Sequence, residues 1–399
     1  MKILFVLLGE LGHVNPFMGI CQRLSREGAE IAVHCGRDFT DQFARAGVKV
    51  ERFGAFHAAV PASTARMAQR MRDPRWLEHW YRLALTTIPH LVESVADLAT
   101  SFRPDVMGVD HSNMAGAIVA RQRNVPWASI STNLTRLRPA DWSCPFIDVG
   151  ERQTPGALAP FGLSEDDVNA SPWYNTVFST EAFVPRSQIS TSNQQSHYVG
   201  PPRWDAPRGD EAVFPWERLD DRPLVYVSSG GGQSLGFDAS TLLRIASTLG
   251  PTEAQIVLAT HDLHDDEAFR AALPAHCISV RYAPQLKILD RAAVAVTHGG
   301  VNTFNECLVR GCPTLVLPLG KEQPLQAELA RRSGVGLTLD PATFTTEEGR
   351  AALLTLLADG SHRARARAVR DSYRETDSTT SIAAALGQLA RGEKPAPPA

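Results

Sequence analysis

Nowhere does this chain of 399 residues hold an apolar run long enough to cross a bilayer, which takes about 20 residues. The apolar stretch at its start, Ile3 to Leu8, stops at Gly9-Glu10 and is too short for the core of a signal peptide. It is expected to be a first strand. Neither sign of charge dominates. Against 40 Lys and Arg stand 43 Asp and Glu, and a net charge of −3 argues against nucleic acid or an anionic membrane as partner. The six cysteines include no Cys-x-x-Cys pair, and several interrupt apolar runs. Free, buried thiols in a reducing, cytoplasmic setting are expected. Gly-x-Gly-x-x-Gly is also missing, because Gly9-x-x-Gly12 is followed by His13. That removes the main support for hydride transfer with a dinucleotide.

What is present has the composition of a soluble globular protein, 43% hydrophobic and 21% charged, with length enough for two domains. A β–α–β order begins at once: Ile3 to Leu8, a helical period from Phe17 to Glu27, then strands at Ile31 to Cys35 and Val48 to Phe53. It predicts an α/β protein with a parallel sheet and right-handed crossovers. Phe56 to Leu98 reads as helical and aromatic. Trp76 and Trp80 share a face there, with core packing favoured over an apolar ligand pocket. Strands are expected at Pro104 to Asp110 and Trp127 to Ser131, and residues 134–185, with Trp142 and Phe146, read as loops and short helices facing a cleft. A segment rich in Pro, Asp and Arg marks a linker, after which strands at Leu224 to Ser228, Ile256 to Thr260, Ala292 to Val296 and Pro313 to Leu319 repeat the architecture. The expected division is a first domain over 1–200, the linker over 201–222 and a second domain over 223–375. A helix within 376–391 crosses back to the first domain, and 392–399 form a disordered tail.

Chemistry concentrates between Tyr282 and Asp340. The strand Ala292 to Val296 runs into Thr297-His298-Gly299-Gly300-Val301-Asn302-Thr303, with Glu306 one turn into the following helix. A strand that ends in glycines and opens a helix is an anion site: the backbone can approach closely, and the free N–H groups point at negative charge. Glu306 is spaced to accept from sugar hydroxyls. The next strand ends in Gly320-Lys321-Glu322-Gln323, an acid–amide pair at the same sheet edge.

Tyr282-x-Pro284-Gln285, then His298-Gly-Gly-x-Asn302-Thr303 with Glu306, then Glu322-Gln323, resembles the nucleotide-sugar signature of family 1 glycosyltransferases. The resemblance is dense over this stretch and runs, less densely, along nearly the whole chain. It implies the GT-B fold, two Rossmann-like doubly wound parallel-sheet domains facing across a cleft. By resemblance Tyr282, where the family more often has Trp, stacks on the base. The backbone at Ala283 reads the base edge, and Gln285 reaches base or ribose. His298 takes the β-phosphate, Gly300, Asn302 and Thr303 the phosphates, and Glu306 the ribose. Glu322 and Gln323 take the donor sugar. Gly230 and Gly231 form the first phosphate turn of the second domain, where Gly231 replaces a common Ser or Thr; Gln326 replaces an Asn.

The family's catalytic base occupies the Gly12-His13-x-x-Pro16 turn, so His13 carries that role by resemblance, with Asp110 at a strand end as its orienting acid. A helix-capping Asp is the bland alternative for Asp110. No Asp-x-Asp occurs, so metal-dependent donor binding has no ligands in view. His261-Asp262-Leu263-His264-Asp265-Asp266 reads as a solvated helix start rather than a metal site. The implied activity is inverting, metal-independent transfer of a hexose from a nucleotide diphosphate-sugar, UDP-glucose favoured over a TDP-deoxysugar, with no cofactor. The acceptor is expected to be an apolar natural product held by Trp76, Trp80, Trp142 and Phe146. The protein is expected to be a monomer or homodimer. A nucleotide-sugar epimerase or a non-catalytic auxiliary protein on the same fold are the other classes.

Overall fold

Successive residues of a strand point to opposite faces, and in the first strand both faces are apolar. Ile3 and Phe5 join one core cluster, Leu4 and Val6 another. Such a strand must be covered on both sides, which is the situation of a parallel sheet between helices. The computed structural model describes residues 1–56, 70–71, 73–190, 195–202, 212–230 and 236–395. Gly231, linker residues 203–211, residues 57–69 of the expected helical segment and tail residues 396–399 lie outside them.

The described residues fall into two units. The first takes Met1–Pro61, Pro74–Gly209 and Glu375–Ala399. Its strands are β1 (Lys2–Val6), β2 (Glu30–Cys35), β3 (Val50–Ala55), β4 (Val106–Asp110), β5 (Trp127–Ser131), β6 (Tyr174–Val177) and β7 (His197–Tyr198). They lie in the order β3-β2-β1-β4-β5-β6-β7, and every pairing is parallel. The second unit is built mainly on Asp210–Arg374. Here β8 (Leu224–Ser228), β9 (Gln255–Ala259), β10 (Cys277–Val280), β11 (Ala292–Thr297), β12 (Thr314–Val316) and β13 (Gly336–Thr338) lie in the order β10-β9-β8-β11-β12-β13, again all parallel. Both sheets reverse winding direction beside their first strand, between β1 and β4 and between β8 and β11. Ligands of open parallel sheets bind at the carboxyl ends of strands at such a switch point.

The helix expected from Phe17 begins earlier and spans Leu11–Arg26, so His13 lies in its first turn. Pro16 hides it from a reading by period, since proline lacks the N–H that would bond to the Gly12 carbonyl. Residues 134–185 are more regular than expected. They hold β6 and a helix, Pro145–Leu158, which starts on proline and has Pro155 inside. The final helix, Ser378–Ala390, belongs to the first unit. Its Ile382, Leu386 and Leu389 share a core with Phe5, Phe17 and Val33. All six cysteines are free and buried. Among the described residues no helix is long and apolar enough to cross a membrane.

Candidate functional site

At the switch point of the first sheet, β1 leads into the helix bearing His13, and β4 ends on Asp110. The adjacency of these strands brings together residues far apart in sequence: Nδ1 of His13 lies 2.7 Å from Oδ2 of Asp110. Asp110 is wholly buried, and His13 nearly so. The other carboxylate oxygen, Oδ1, accepts from the Ser112 N–H at 3.0 Å and the Thr132 hydroxyl at 3.1 Å. Burial favours the neutral acid, but His13 and His111 outweigh it and hold the Asp110 carboxyl well below the usual range. The helix that follows, Met114–Gln122, has Asn113 at its cap position and no side-chain cap, so Asp110 is engaged with His13 rather than capping it.

Two neighbours here carry no sequence motif. Thr132, one residue past β5, places Oγ1 2.7 Å from Nδ1 of His13. His111 sits with Nδ1 3.7 Å from Asp110 Oδ1 and Nε2 2.8 Å from the Thr135 hydroxyl, which donates to Asn133 Oδ1 at 2.6 Å. Burial pushes the His111 imidazole down, against the pull of Asp110.

In the second unit the turn after β11 carries His298, Gly299 and Gly300. Gly299 has φ +89°, and a Cβ there would also come within 3.2 Å of the Gln323 backbone oxygen. At Gly300 a Cβ would stand 2.6 Å from Nε2 of His298, so a side chain there would displace the imidazole from its place over the turn. Gly300 caps the helix Val301–Arg310, whose first turn presents Asn302 and Thr303. Burial pushes His298 down to about 4, and neighbouring His261 and Lys321 act in the same direction. At neutral pH it is therefore an uncharged hydrogen-bonding group. The Phe237 ring meets it edge to face.

Gln285 is the hub of this site. Its Nε2 donates to Glu306 Oε2 at 2.6 Å and to Thr303 Oγ1 at 3.2 Å. Its Oε1 accepts from the hydroxyls of Tyr226 at 3.0 Å and Ser228 at 3.1 Å. A carboxamide offers two donors and two lone pairs, so no atom is left over for base or ribose. The reading of Gln285 as a direct ligand contact changes accordingly: in this structure it holds Glu306. Tyr282 is 51% exposed, with the His261 ring edge-on at 5.0 Å. Beside it, Ala283 packs on the core of the unit. Gly230, at φ +102°, follows β8, and its backbone favours the charged form of His261, although burial dominates and lowers that imidazole. His261 therefore belongs with this group of residues, not with a solvated helix start. Its own φ of +51° marks the site, a backbone state uncommon outside glycine.

Glu322 precedes the helix Gln323–Ser333. The side-chain oxygen of Gln323, Oε1, already accepts from the Leu319 and Gly320 N–H groups, at 2.8 and 3.3 Å, which leaves its side-chain nitrogen to donate. Gln326 is fully buried, and neither amide atom has a partner.

Of the expected acceptor residues, Trp80 and Phe146 meet at 6.1 Å, with Tyr81 5.0 Å from Phe146. This cluster packs helix Pro74–Leu85 on helix Pro145–Leu158. Among the described residues no ring contact ties Trp76 or Trp142 to it. Asp262 and Asp265 both pair with Arg281. Among the described residues no group of three or more His, Cys, Asp and Glu side chains is placed to hold a metal.

Comparison with known proteins adds to this geometry. Residues 243–389 match the family described as erythromycin biosynthesis protein CIII-like, C-terminal domain. The chain is 23% identical over 398 residues to an uncharacterized UDP-glucosyltransferase, YdhE, of Bacillus subtilis, covering 95% of this chain and 96% of that one. It is 25% identical over 407 residues to the elloramycin glycosyltransferase ElmGT of Streptomyces olivaceus, covering 97% of both. The crystal structure of the glycosyltransferase VinC in complex with dTDP superimposes with a TM-score of 0.70 at 18% identity, over 98% of this chain and all of that one. The two doubly wound units are thus a GT-B fold, and these likenesses support a family 1 glycosyltransferase of the natural-product type.

Proposed function

We propose that this enzyme is an inverting, metal-independent hexosyltransferase that moves glucose from UDP-glucose to a hydroxyl of an apolar small-molecule natural product. The observation that carries the reading is the buried His13–Asp110 contact at the switch point of the first sheet. A hydrogen on Nδ1 directed at Asp110 leaves Nε2 without a hydrogen, and an imidazole nitrogen in that state is a base suited to neutral pH. His13 removes the proton from the acceptor hydroxyl. The oxygen bonds to the anomeric carbon while that carbon's bond to the diphosphate breaks, so an α-linked donor becomes a β-glycoside. The leaving diphosphate meets the N–H groups at the start of Val301–Arg310 and the neutral His298, which contributes a hydrogen bond rather than a charge. Glu306, held by Gln285, takes the ribose, and Tyr282, braced by His261, stacks on the base. Trp80 and Phe146 are the acceptor-side residues favoured by their clustering. The proposed setting is the cytosol, where six unpaired thiols stay reduced.

A TDP-deoxysugar is the second reading. The Gln323 oxygen is occupied by backbone N–H groups, so the pair expected to read a fully hydroxylated sugar offers one acceptor fewer. Mass spectrometry of an acceptor panel incubated in EDTA with UDP-glucose or TDP-sugars tests the proposal, with His13→Ala alongside. Acceptor-dependent mass gain from UDP-glucose is expected, lost in His13→Ala by about a hundred- to ten-thousand-fold. A wild-type rate in that variant would sink the base assignment, and gain only from TDP-sugars would replace glucose.

A further inference from the structure

The Thr132 hydroxyl has one hydrogen and two neighbours, Nδ1 of His13 at 2.7 Å and Oδ1 of Asp110 at 3.1 Å. Nδ1 also lies 2.7 Å from Oδ2 of the same carboxylate. If Nδ1 were bare, its lone pair would face a carboxylate oxygen at hydrogen-bond distance with nothing between them, which is repulsive. The hydrogen therefore sits on Nδ1 and is shared between Oδ2 and Oγ1, while the threonine hydrogen goes to Oδ1. The result is a closed ring of three groups in which each hydrogen has one arrangement. Thr132 is buried, and its branched side chain has few rotamers to sample.

We propose that Thr132 is a positioning residue for the transfer, holding His13 in the tautomer and orientation in which the hydrogen is on Nδ1 and Nε2 takes the acceptor proton. It acts at two moments. Before the reaction it occupies Oδ1, so the carboxylate cannot rotate away from the imidazole. After proton uptake it adds a second acceptor to the imidazolium Nδ1–H. The groups facing the pair are His111, whose Nε2 is committed to Thr135, and the Ser112 N–H, which is committed to Asp110 Oδ1. The inference rests on His13 being the base.

The test uses Thr132→Val, which keeps the shape and removes the hydroxyl, and Thr132→Ser, which keeps the hydroxyl and removes the methyl. In Val, kcat should fall about 10- to 100-fold, as expected for a lost bond to a charged group, with KM for the sugar nucleotide unchanged. Ser should restore most of the rate. On ¹⁵N-histidine-labelled full-length protein, the His13 resonance is the one missing from His13→Ala. It should report hydrogen on Nδ1 in wild type and Ser, and its Nδ1 shift should move in Val as some Nε2–H tautomer appears. An unmoved Nδ1 shift in Val, a kcat within twofold of wild type, or a Ser variant that loses as much rate as a hydroxyl-free one would each overturn the proposal. Should Val not fold, the Ser rate and spectrum decide it. The spectra need no turnover, so they separate failure of this inference from failure of the base assignment, which His13→Ala reports.

Discussion

Replacing Gln285 with methionine keeps the length of the side chain and removes all four of its hydrogen bonds. Two consequences follow from where those bonds go. The hydroxyls of Tyr226 and Ser228, both buried, lose their acceptor, and a buried polar group left unpaired costs about 1–3 kcal/mol. Stability should therefore drop. Glu306 loses a donor at 2.6 Å, a bond to a charged group worth about 1.5–3 kcal/mol, and is no longer held toward the start of its helix. If Glu306 reads the ribose, UDP should bind on the order of 10- to 100-fold more weakly. The decisive measurement is a double-mutant cycle by calorimetry with UDP on wild type, Gln285→Met, Glu306→Ala and the pair. A residue that acts only through Glu306 has nothing left to do once Glu306 is gone, so the double variant should bind like Glu306→Ala. Additive losses would mean that Gln285 meets the nucleotide itself, and the positioning argument would fail.

Two further expectations concern the sugar and the pH. Gln323→Glu keeps an oxygen for the Leu319 and Gly320 N–H groups but removes the amide donor, so it should weaken UDP-glucose binding by about 1–3 kcal/mol and leave UDP unchanged, as should Glu322→Ala. Equal weakening of both ligands would show that the pair does not read the sugar. Burial pushes His34 and His298 each from 6.5 to about 4. Between those values the unfolded chain binds a proton that the folded chain refuses, so stability falls as the pH drops through this window. At pH 5 the loss should be about 2 kcal/mol for each imidazole. Urea unfolding at pH 7 and pH 5 measures it, and a His34→Gln variant with the wild-type pH slope would contradict the assignment.

How much of this was legible depends on whether the partners are near in sequence. His298, the glycines, Asn302, Thr303 and Glu306 follow one another across a strand, a turn and a helix, so their spacing alone places them together. His13 and Asp110 meet only because β4 lies beside β1, and strand order is not a property of local pattern. A resemblance supplied that pairing, and the structure supplied its distance. Pro16 hid the start of the first helix, and Pro145 and Pro155 hid another, because a reading by period takes proline as an interruption.

The residues missed altogether share a physical reason. Tyr226 lies in the middle of β8, Ser228 at its carboxyl end and Thr132 just past β5, and every residue of both strands is buried. In sequence such a position is indistinguishable from core. What sets these three apart is that their buried hydroxyls are paired with polar groups from other elements: Gln285, on the helix after β10, for Tyr226 and Ser228, and Asp110 of β4 and His13 of the first helix for Thr132. A hydroxyl buried in or just past a parallel strand is costly without a partner, so its presence there points to a polar group facing it from another element. Here each such partner is a residue already suspected of chemistry. His261 fits the same logic by a different sign. It follows the end of β9 with a left-handed backbone and a ring against Tyr282. A strained, polar residue at a strand end beside the switch point is thus a marker of the site in its own right, and it becomes visible once the strand order is known.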